Sequence, residues 1–314
     1  MEDENMRIIS LIPSSTEIVC ALGFQDQLVG RSHECDYPQG VEQLPVCSEP
    51  KFDPSRGSSR DIDDQVKRIV QESLSVYRVD TQKLKDLKPD IIVTQAQCEV
   101  CAVSINDVER AVGDWLEAKP QIVSLTPNAL GDLWVGIRQV AQALGAVSKG
   151  DALITQYKDR IKAIAERAQQ CEGNPAVVCI EWIDPLMAAG NWMPEFIEML
   201  GGRNYFGKTG EHSPTMTWEE LKEKDPDVII AMPCGWGMDR CREEMTALTS
   251  KSDWNELAAV AENRVYLADG NQYFNRPGPR LVESLEILAE IMYPDMTPYG
   301  YEGKGWQSLT AHSS

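Results

Sequence analysis

Nine cysteines and three histidines are the residues of this 314-residue chain with the most chemistry to offer. Cys98 and Cys101 form a CxxC pair, a spacing that lets both sulfurs reach one metal ion. The pair follows a strand-like run and precedes a helix-like segment, a position that also lowers a thiol pKa and favours redox chemistry. His33 and Cys35 lie two residues apart in the loop Ser32-His33-Glu34-Cys35-Asp36-Tyr37-Pro38. If the strands before these loops are neighbours in one parallel sheet, His33, Cys35, Cys98 and Cys101 converge as metal-ligand candidates, with Cys234 a further one. Thiolates are soft ligands suited to zinc, iron clusters and copper(I). A second CxxC is absent, so a self-contained four-cysteine zinc knuckle is not supported. Cys20, in TEIVCALG, and Cys179, in AVVCIEW, read as buried small hydrophobes.

A second set is aromatic and amide-bearing. Glu181-Trp182, then Asn191-Trp192, follow one strand-like run; Trp236 stands between glycines after another. Tyr273, Phe274 and Arg276 lie in Asp269-Gly270-Asn271-Gln272-Tyr273-Phe274-Asn275-Arg276-Pro277 after a third. Aromatics beside glycine in such loops are poor core material. With Tyr37 they read as the walls of a wide site suited to a large, flat, partly polar ligand. In Pro13-Ser14-Ser15-Thr16-Glu17 two readings stand side by side. The hydroxyls cap a helix, or Ser14 and Ser15 lie where free N–H groups at the helix start hold a polar ligand group. No nucleophile elbow, Walker loop or GxGxxG occurs, and no carboxylates are paired at a diagnostic spacing.

The elements that must position these loops declare themselves by repetition. LKDLKPDIIVTQAQC (84–98) and LKEKDPDVIIAMPC (221–234) each read as a helix end, a Pro-Asp turn, a β-branched strand and then a cysteine. One unit repeated at that separation predicts two similar α/β lobes. Their ligands belong outside the carboxyl ends of the strands, so Cys98 and Cys234 are expected to open onto one interlobe cleft. Strand-like runs at 7–12, 28–31, 75–79, 90–95 and 121–126, and then at 176–182, 228–233 and 264–269, alternate with helical stretches, the mark of parallel sheets. Between the groups, residues 151–170 carry apolar positions at helical spacing without proline or glycine. That predicts one helix of about 30 Å joining the lobes. The expected organisation is an N-terminal lobe over 6–148, a linking helix over 149–172, a C-terminal lobe over 173–295 and an aperiodic polar tail over 296–314.

The balance of 49 acidic against 30 basic side chains gives a net charge of −19, and no basic track is present for nucleic acid or an anionic membrane surface. No apolar run approaches the roughly 20 residues of a membrane span. The residues ahead of the first strand, MEDENM, do not read as a signal peptide. A cytoplasmic location is therefore expected unless a leader has been removed, with the cysteines reduced.

The chain resembles the helical-backbone solute receptors for vitamin B12, haem and ferric siderophores, most of all those of B12 uptake. The resemblance is carried by RIISLIPSSTEIVCALG, VGRSHECDYP, LKDLKPDIIV, the single linking helix and FNRPGPRLVESLEILAEI, and covers roughly residues 6–295. It implies an α/β protein of two three-layer α/β/α lobes joined by one long backbone helix, with a ligand cleft between them. It implies non-catalytic binding of a corrinoid such as cobalamin, or of a related metal chelate, by Ser14, Ser15, Tyr37, Glu181, Trp182, Asn191, Trp192, Trp236, Tyr273, Phe274 and Arg276. The family docks on an ABC-type permease through a glutamate on each lobe. Glu219 matches that position in the second lobe, whereas Gln82 stands there in the first. Two alternatives rest on the cysteines: a cytoplasmic metal or iron–sulfur protein using Cys35, Cys98 and Cys101, or a thiol redox enzyme.

Overall fold

The structure is a computed structural model and describes residues 6–54, 56–71, 76–96, 105–113 and 119–310. The chain divides into two compact units. The first comprises Met1–Gly57, Asp61–Pro127 and Gly131–Gln156; the second comprises Ser58–Arg60, Asn128–Leu130 and Tyr157–Ser314. The helix Val147–Ala168 belongs to both, its first residues to one unit and those from Tyr157 to the other.

The first unit is built on β1 (Ile8–Ser10), β2 (Leu28–Arg31), β5 (Ile91–Gln95) and β6 (Gln121–Leu125), all parallel and ordered β2-β1-β5-β6. These strands are short, and each carries a run of two or three apolar residues, as buried parallel strands do. Ile9, Leu11 and Ile92 pack on one face with Cys47, Leu84 and Val108. The run at 75–79, expected among the parallel strands, lies elsewhere. Within it β4 (Tyr77–Val79) pairs antiparallel with β3 (Ser48–Pro50) in a separate ribbon. Two backbone hydrogen bonds close the ends of the ribbon: Lys51 N donates to Val76 O and Asp80 N to Cys47 O.

The second unit carries β7 (Ala176–Trp182), β8 (Met187–Ala188), β9 (Arg203–Asn204), β10 (Val228–Ala231), β11 (Val265–Ala268) and β12 (Trp306–Ser308), in the path β12-β11-β10-β7-β8 with β9 also on β7. The core triplets β1-β5-β6 and β7-β10-β11 are parallel and follow the same order. Each copy of the repeated segment feeds the middle strand of its triplet. Helix Thr81–Leu87 starts on the Asp80 carboxylate and helix Trp218–Lys224 on a Thr217/Glu220 capping box. They end in left-handed residues, Lys88 and Asp225 (φ 42° and 39°). The aspartate of the Pro-Asp pair then ties off the start of the neighbouring strand: Asp90 accepts from Arg7 N (2.8 Å) and Asp227 from Ala176 N (2.6 Å).

The described part of the polar tail, as far as Thr310, is docked. β12 adds antiparallel to β11, pairing Ala268 with Trp306 and Tyr266 with Ser308. It is held by a buried carboxylate on helix Leu281–Met292. Glu290 accepts from Gly300 N, from Tyr301 N (3.2 Å) and from Trp306 Nε1 (2.7 Å). Glu286, one turn earlier, takes a bidentate pair from Arg160 (2.9 and 2.6 Å) and the Tyr301 hydroxyl (2.8 Å). The tail has no hydrophobic period because side-chain hydrogen bonds dock it. Among the described residues no helix is long and apolar enough to cross a membrane.

Candidate functional site

In the second unit the loops after β7, β10 and β11 gather at one end of the sheet. The ladder continues past the strands: Met232 N donates to Ile180 O (2.9 Å) and Cys234 N to Glu181 O (3.1 Å). Gly235, at φ 77°, turns the chain so that Trp236 comes back beside Trp182. The two indoles are 4.7 Å apart at a 40° tilt. The Arg240 guanidinium lies 5.2 Å from the Trp236 ring centre and is held by Glu244 at 2.8 Å. Trp182 is half-buried, with Nε1 on Asp184 O (3.2 Å), while Trp236 is only 8% exposed. The indole pair therefore presents mainly Trp182, with Trp236 and Arg240 stacked behind it.

After β11 the chain enters one π turn, Gly270–Phe274. Asp269 starts it by accepting from Gln272 N (2.7 Å), and burial raises the Asp269 pKa. A side chain at Gly270 is not tolerated, because its Cβ would lie 2.1 Å from Pro233 O. The turn sets out amides and cations together: Asn275 Nδ2 donates to Met232 O and Gly270 O (both 3.1 Å), Arg276 to Asn271 Oδ1 (3.0 Å) and Arg280 to Gln272 Oε1 (2.8 Å). Tyr273 is half-buried, edge-on to Tyr301 and under Arg280. Phe274 and Trp192, expected as site walls, face inward instead. Phe274 is fully buried and its carbonyl accepts from Trp192 Nε1 (3.0 Å). Glycine neighbours marked a turn here, and the turn directs its last aromatic into the core. Arg276 is also buried, at 6% exposure, while Glu181 and Asn191 are half-buried.

In the first unit the residues after β1 do not cap the helix they open. Helix Pro13–Ala21 has Ile12 at its cap position and Pro13 at its first turn, the place where proline's fixed φ and missing N–H cost least. Ser14, Ser15 and Thr16 therefore lie within the first turn. Ser15 is spent internally: its hydroxyl is 2.6 Å from Ser10 Oγ and donates to Ile12 O (3.0 Å). Thr16 Oγ1 lies 2.7 Å from Ser10 Oγ and 3.1 Å from the Cys35 sulfur, which also contacts Ser32 Oγ (3.2 Å). Cys35 is fully buried, and desolvation raises its pKa. His33 Nδ1 lies 3.0 Å from Ser48 Oγ and its ring 5.3 Å from that of Tyr77. Burial, and then the Arg31 charge, lower its pKa to about 4. Tyr37 is 42% exposed. Cys98 and Cys101 lie outside the described residues, and among those described no group of three or more His, Cys, Asp or Glu is placed to hold a metal. Sequence reasoning passed over Ser10 and Gln95, buried polar residues that end β1 and β5. That break in apolar character was the available signal.

The strand-end loops of the second unit bring stacked indoles, amides and guanidinium groups together, an arrangement suited to holding a solute. The family model described as periplasmic binding protein matches residues 8–271. The chain belongs to the periplasmic binding protein family, whose members bind solutes for ABC transporters and are not enzymes. It is 27% identical over 305 residues to the uncharacterized ABC transporter substrate-binding lipoprotein YvrC of Bacillus subtilis, covering 94% of this chain and 82% of that one. It is 23% identical over 287 residues to the vitamin B12-binding protein of Vibrio parahaemolyticus, covering 90% and 88%. Among solved structures, a periplasmic heme-binding protein from Pseudomonas aeruginosa matches with a TM-score of 0.71 at 20% identity, over 98% of this chain and 99% of the other. These relatives correct the expectation of a cytoplasmic protein: they are periplasmic proteins and a lipoprotein. That expectation rested on the residues ahead of β1, which carry no information about the compartment of the folded units. The family also leaves the thiol-enzyme and cytoplasmic metalloprotein alternatives without support.

Proposed function

We propose that this chain is an extracytoplasmic receptor for a corrinoid, the cobalamin-like member of the metal-chelate class, which it passes to an ABC-type permease. The observation that carries the reading is the Trp182–Trp236–Arg240 stack beside the amide-lined π turn of the second unit. A half-buried indole backed by a second one offers a rigid apolar wall at little entropic cost. Amides from Asn271, Gln272 and Asn275 beside it suit a ring whose periphery is polar. The B12-binding relatives support this choice of chelate. Permease docking is assigned to the exposed first turn of helix Trp218–Lys224, which carries Glu219. At the matching place in the first unit Gln82 is exposed and donates to Asp86, so the two units present different charges to that partner.

Titration with cyanocobalamin, cobinamide and haemin, followed by tryptophan quenching and calorimetry, tests the reading. Corrinoid is expected to bind more tightly than haemin. Trp182→Ala is expected to weaken corrinoid binding by about 1–3 kcal/mol, the usual cost of losing an aromatic anchor. Trp236→Ala is expected to weaken it as well, by removing the support behind Trp182. A folded protein, by circular dichroism, that binds no corrinoid refutes the assignment.

A further inference from the structure

We propose that the first unit holds a subsite for an uncharged primary carboxamide of the ligand, formed by Ser14, Gln95 and the first turn of helix Pro13–Ala21. It rests on the reading of the ligand as a corrinoid and specifies which group of it this unit recognises. The place is the topological switch point of the sheet. From β1 the chain goes to β2 on one side and later to β5 on the other, and crevices at the carboxyl ends of such strand pairs are where open α/β sheets bind.

Two buried polar groups at that point have no partner among the described residues: Ser14 Oγ, in a residue 1% exposed, and Gln95 Oε1, in one 3% exposed. Buried polar atoms are nearly always paired, and leaving one unpaired is costly. The register places Gln95 on the sheet face that helix Pro13–Ala21 covers, beside the turn that Ser14 opens. Ser10 pairs with Val93, and Ser10 faces helix Pro13–Ala21 because its hydroxyl contacts Ser15 and Thr16. Val93 faces the same way, and so does Gln95 two residues on. The helix adds donors. Thr16 N is the first amide to reach a helical carbonyl, Ile12 O at 3.2 Å, so the N–H groups of Ser14 and Ser15 precede the ladder.

This donor and acceptor set selects the ligand group. A carboxylate would suit the helix dipole and one end of the Gln95 amide, but would leave Gln95 Oε1 unpaired and bring a charge near the buried carboxyl group of Glu17 in the next turn. A primary carboxamide offers its C=O to the helix N–H groups and its NH2 to Gln95 Oε1. It forms an amide–amide pair with either orientation of the Gln95 side chain. Corrin rings carry several such amides at their edge.

The test compares cyanocobalamin with its separated monocarboxylates, each made by mild hydrolysis of one propionamide, against the unaltered protein and against Gln95→Leu and Ser14→Ala. One isomer is expected to bind the unaltered protein roughly tenfold or more weakly than the parent, the size of one mismatched buried hydrogen bond, while the others bind nearly normally. Gln95→Leu is expected to weaken cyanocobalamin about tenfold and to abolish discrimination against that isomer; Ser14→Ala is expected to do so several-fold. The ligand-side comparison needs no variant to fold. If every isomer binds the unaltered protein as the parent does, or if both variants retain parental affinity, the subsite is refuted and the corrinoid reading stands. If the unaltered protein binds no corrinoid, both fall.

Discussion

Replacing Glu290 by glutamine isolates what docks the C-terminal tail. The buried carboxylate accepts from three donors, Gly300 N, Tyr301 N and Trp306 Nε1. Glutamine keeps the shape but supplies only one acceptor oxygen, and its NH2 must point at a donor. At least one charge-assisted bond, worth about 1.5–3 kcal/mol, is lost and a buried N–H is left unpaired. A cost of about 2–4 kcal/mol follows, and it falls on tail docking before it falls on the sheet. Beyond its ladder to β11, β12 is held by the carboxylate, by Leu309 N on Val265 O and by the Arg242 guanidinium, which donates to Ser308 O (3.1 Å) and to Leu309 O. Hydrogen exchange is the assay. Amides of Tyr301 and of Trp306–Ser308 are expected to lose protection by roughly 30- to 1,000-fold, the same free energy expressed as an opening constant. Amides of β7 and β10 are expected to change much less. Trp306→Phe, which removes one donor and keeps the ring, is expected to reproduce part of the effect. Unchanged tail protection in folded Glu290→Gln protein would show that the edge pairing alone holds the tail and that the carboxylate is incidental.

His33 predicts a pH dependence. Its pKa is lowered in the folded chain to about 4 from 6.5, so the fold favours the neutral ring. Its contribution is complete above pH ~6.5 and is lost as pH falls from there through about 4, amounting to about 2–3 kcal/mol for a ring that remains one-fifth exposed. The difference in unfolding free energy between the parent and His33→Asn should therefore shrink over that window; a flat difference would contradict the assignment. The thiols should divide by burial. Cys35, Cys47, Cys179 and Cys241 are buried and all raised in pKa, Cys47 to about 11 and Cys241 to about 12. In native protein at pH 8, alkylation mapped by mass spectrometry should reach half-buried Cys171 and Cys234 first and those four only on unfolding. Asp227→Ala should destabilise the second unit by about 1–3 kcal/mol, since it orphans the amide that opens β7, and a denaturant midpoint unchanged from the parent would contradict that.

Much of the fold was legible because two signals reinforced each other. The runs 28–31 and 176–182 are strands to the residue, since apolar content and flanking turn residues agree there. The repeat located the middle strand of each parallel triplet, β5 and β10, because a helix end, a Pro-Asp turn and a β-branched run are local devices whose geometry does not depend on distant partners. What failed was decided by partners far along the chain. β4 is apolar enough for a central strand, yet its pairing is fixed by β3 some 30 residues earlier. The tail has no period because its docking donors answer to carboxylates on another helix. The loops divide in the same way. Trp182 closes β7 and Trp236 follows the neighbouring β10, so both were legible at the carboxyl end of the sheet, whereas Trp192 and Phe274 carried the same composition and turned inward.

The first unit shows why residue type alone misleads about chemistry. Cys35 next to His33 reads as the start of a metal site, but the sulfur lies fully buried among the hydroxyls of Thr16 and Ser32. Desolvation by burial raises the thiol pKa and makes thiolate formation costly, outweighing the Ser32 and Thr16 hydroxyls, which pull the other way. Metal ligation requires the thiolate. The same hydroxyl cluster consumes Ser15 and Thr16, so within a run of three adjacent hydroxyl residues only Ser14 has its oxygen left over. Adjacent residues on a helix turn point about 100° apart. A motif of like residues is thereby split: Ser15 and Thr16 turn to Ser10 on β1 and complete the core, while Ser14 Oγ is left without a partner among the described residues.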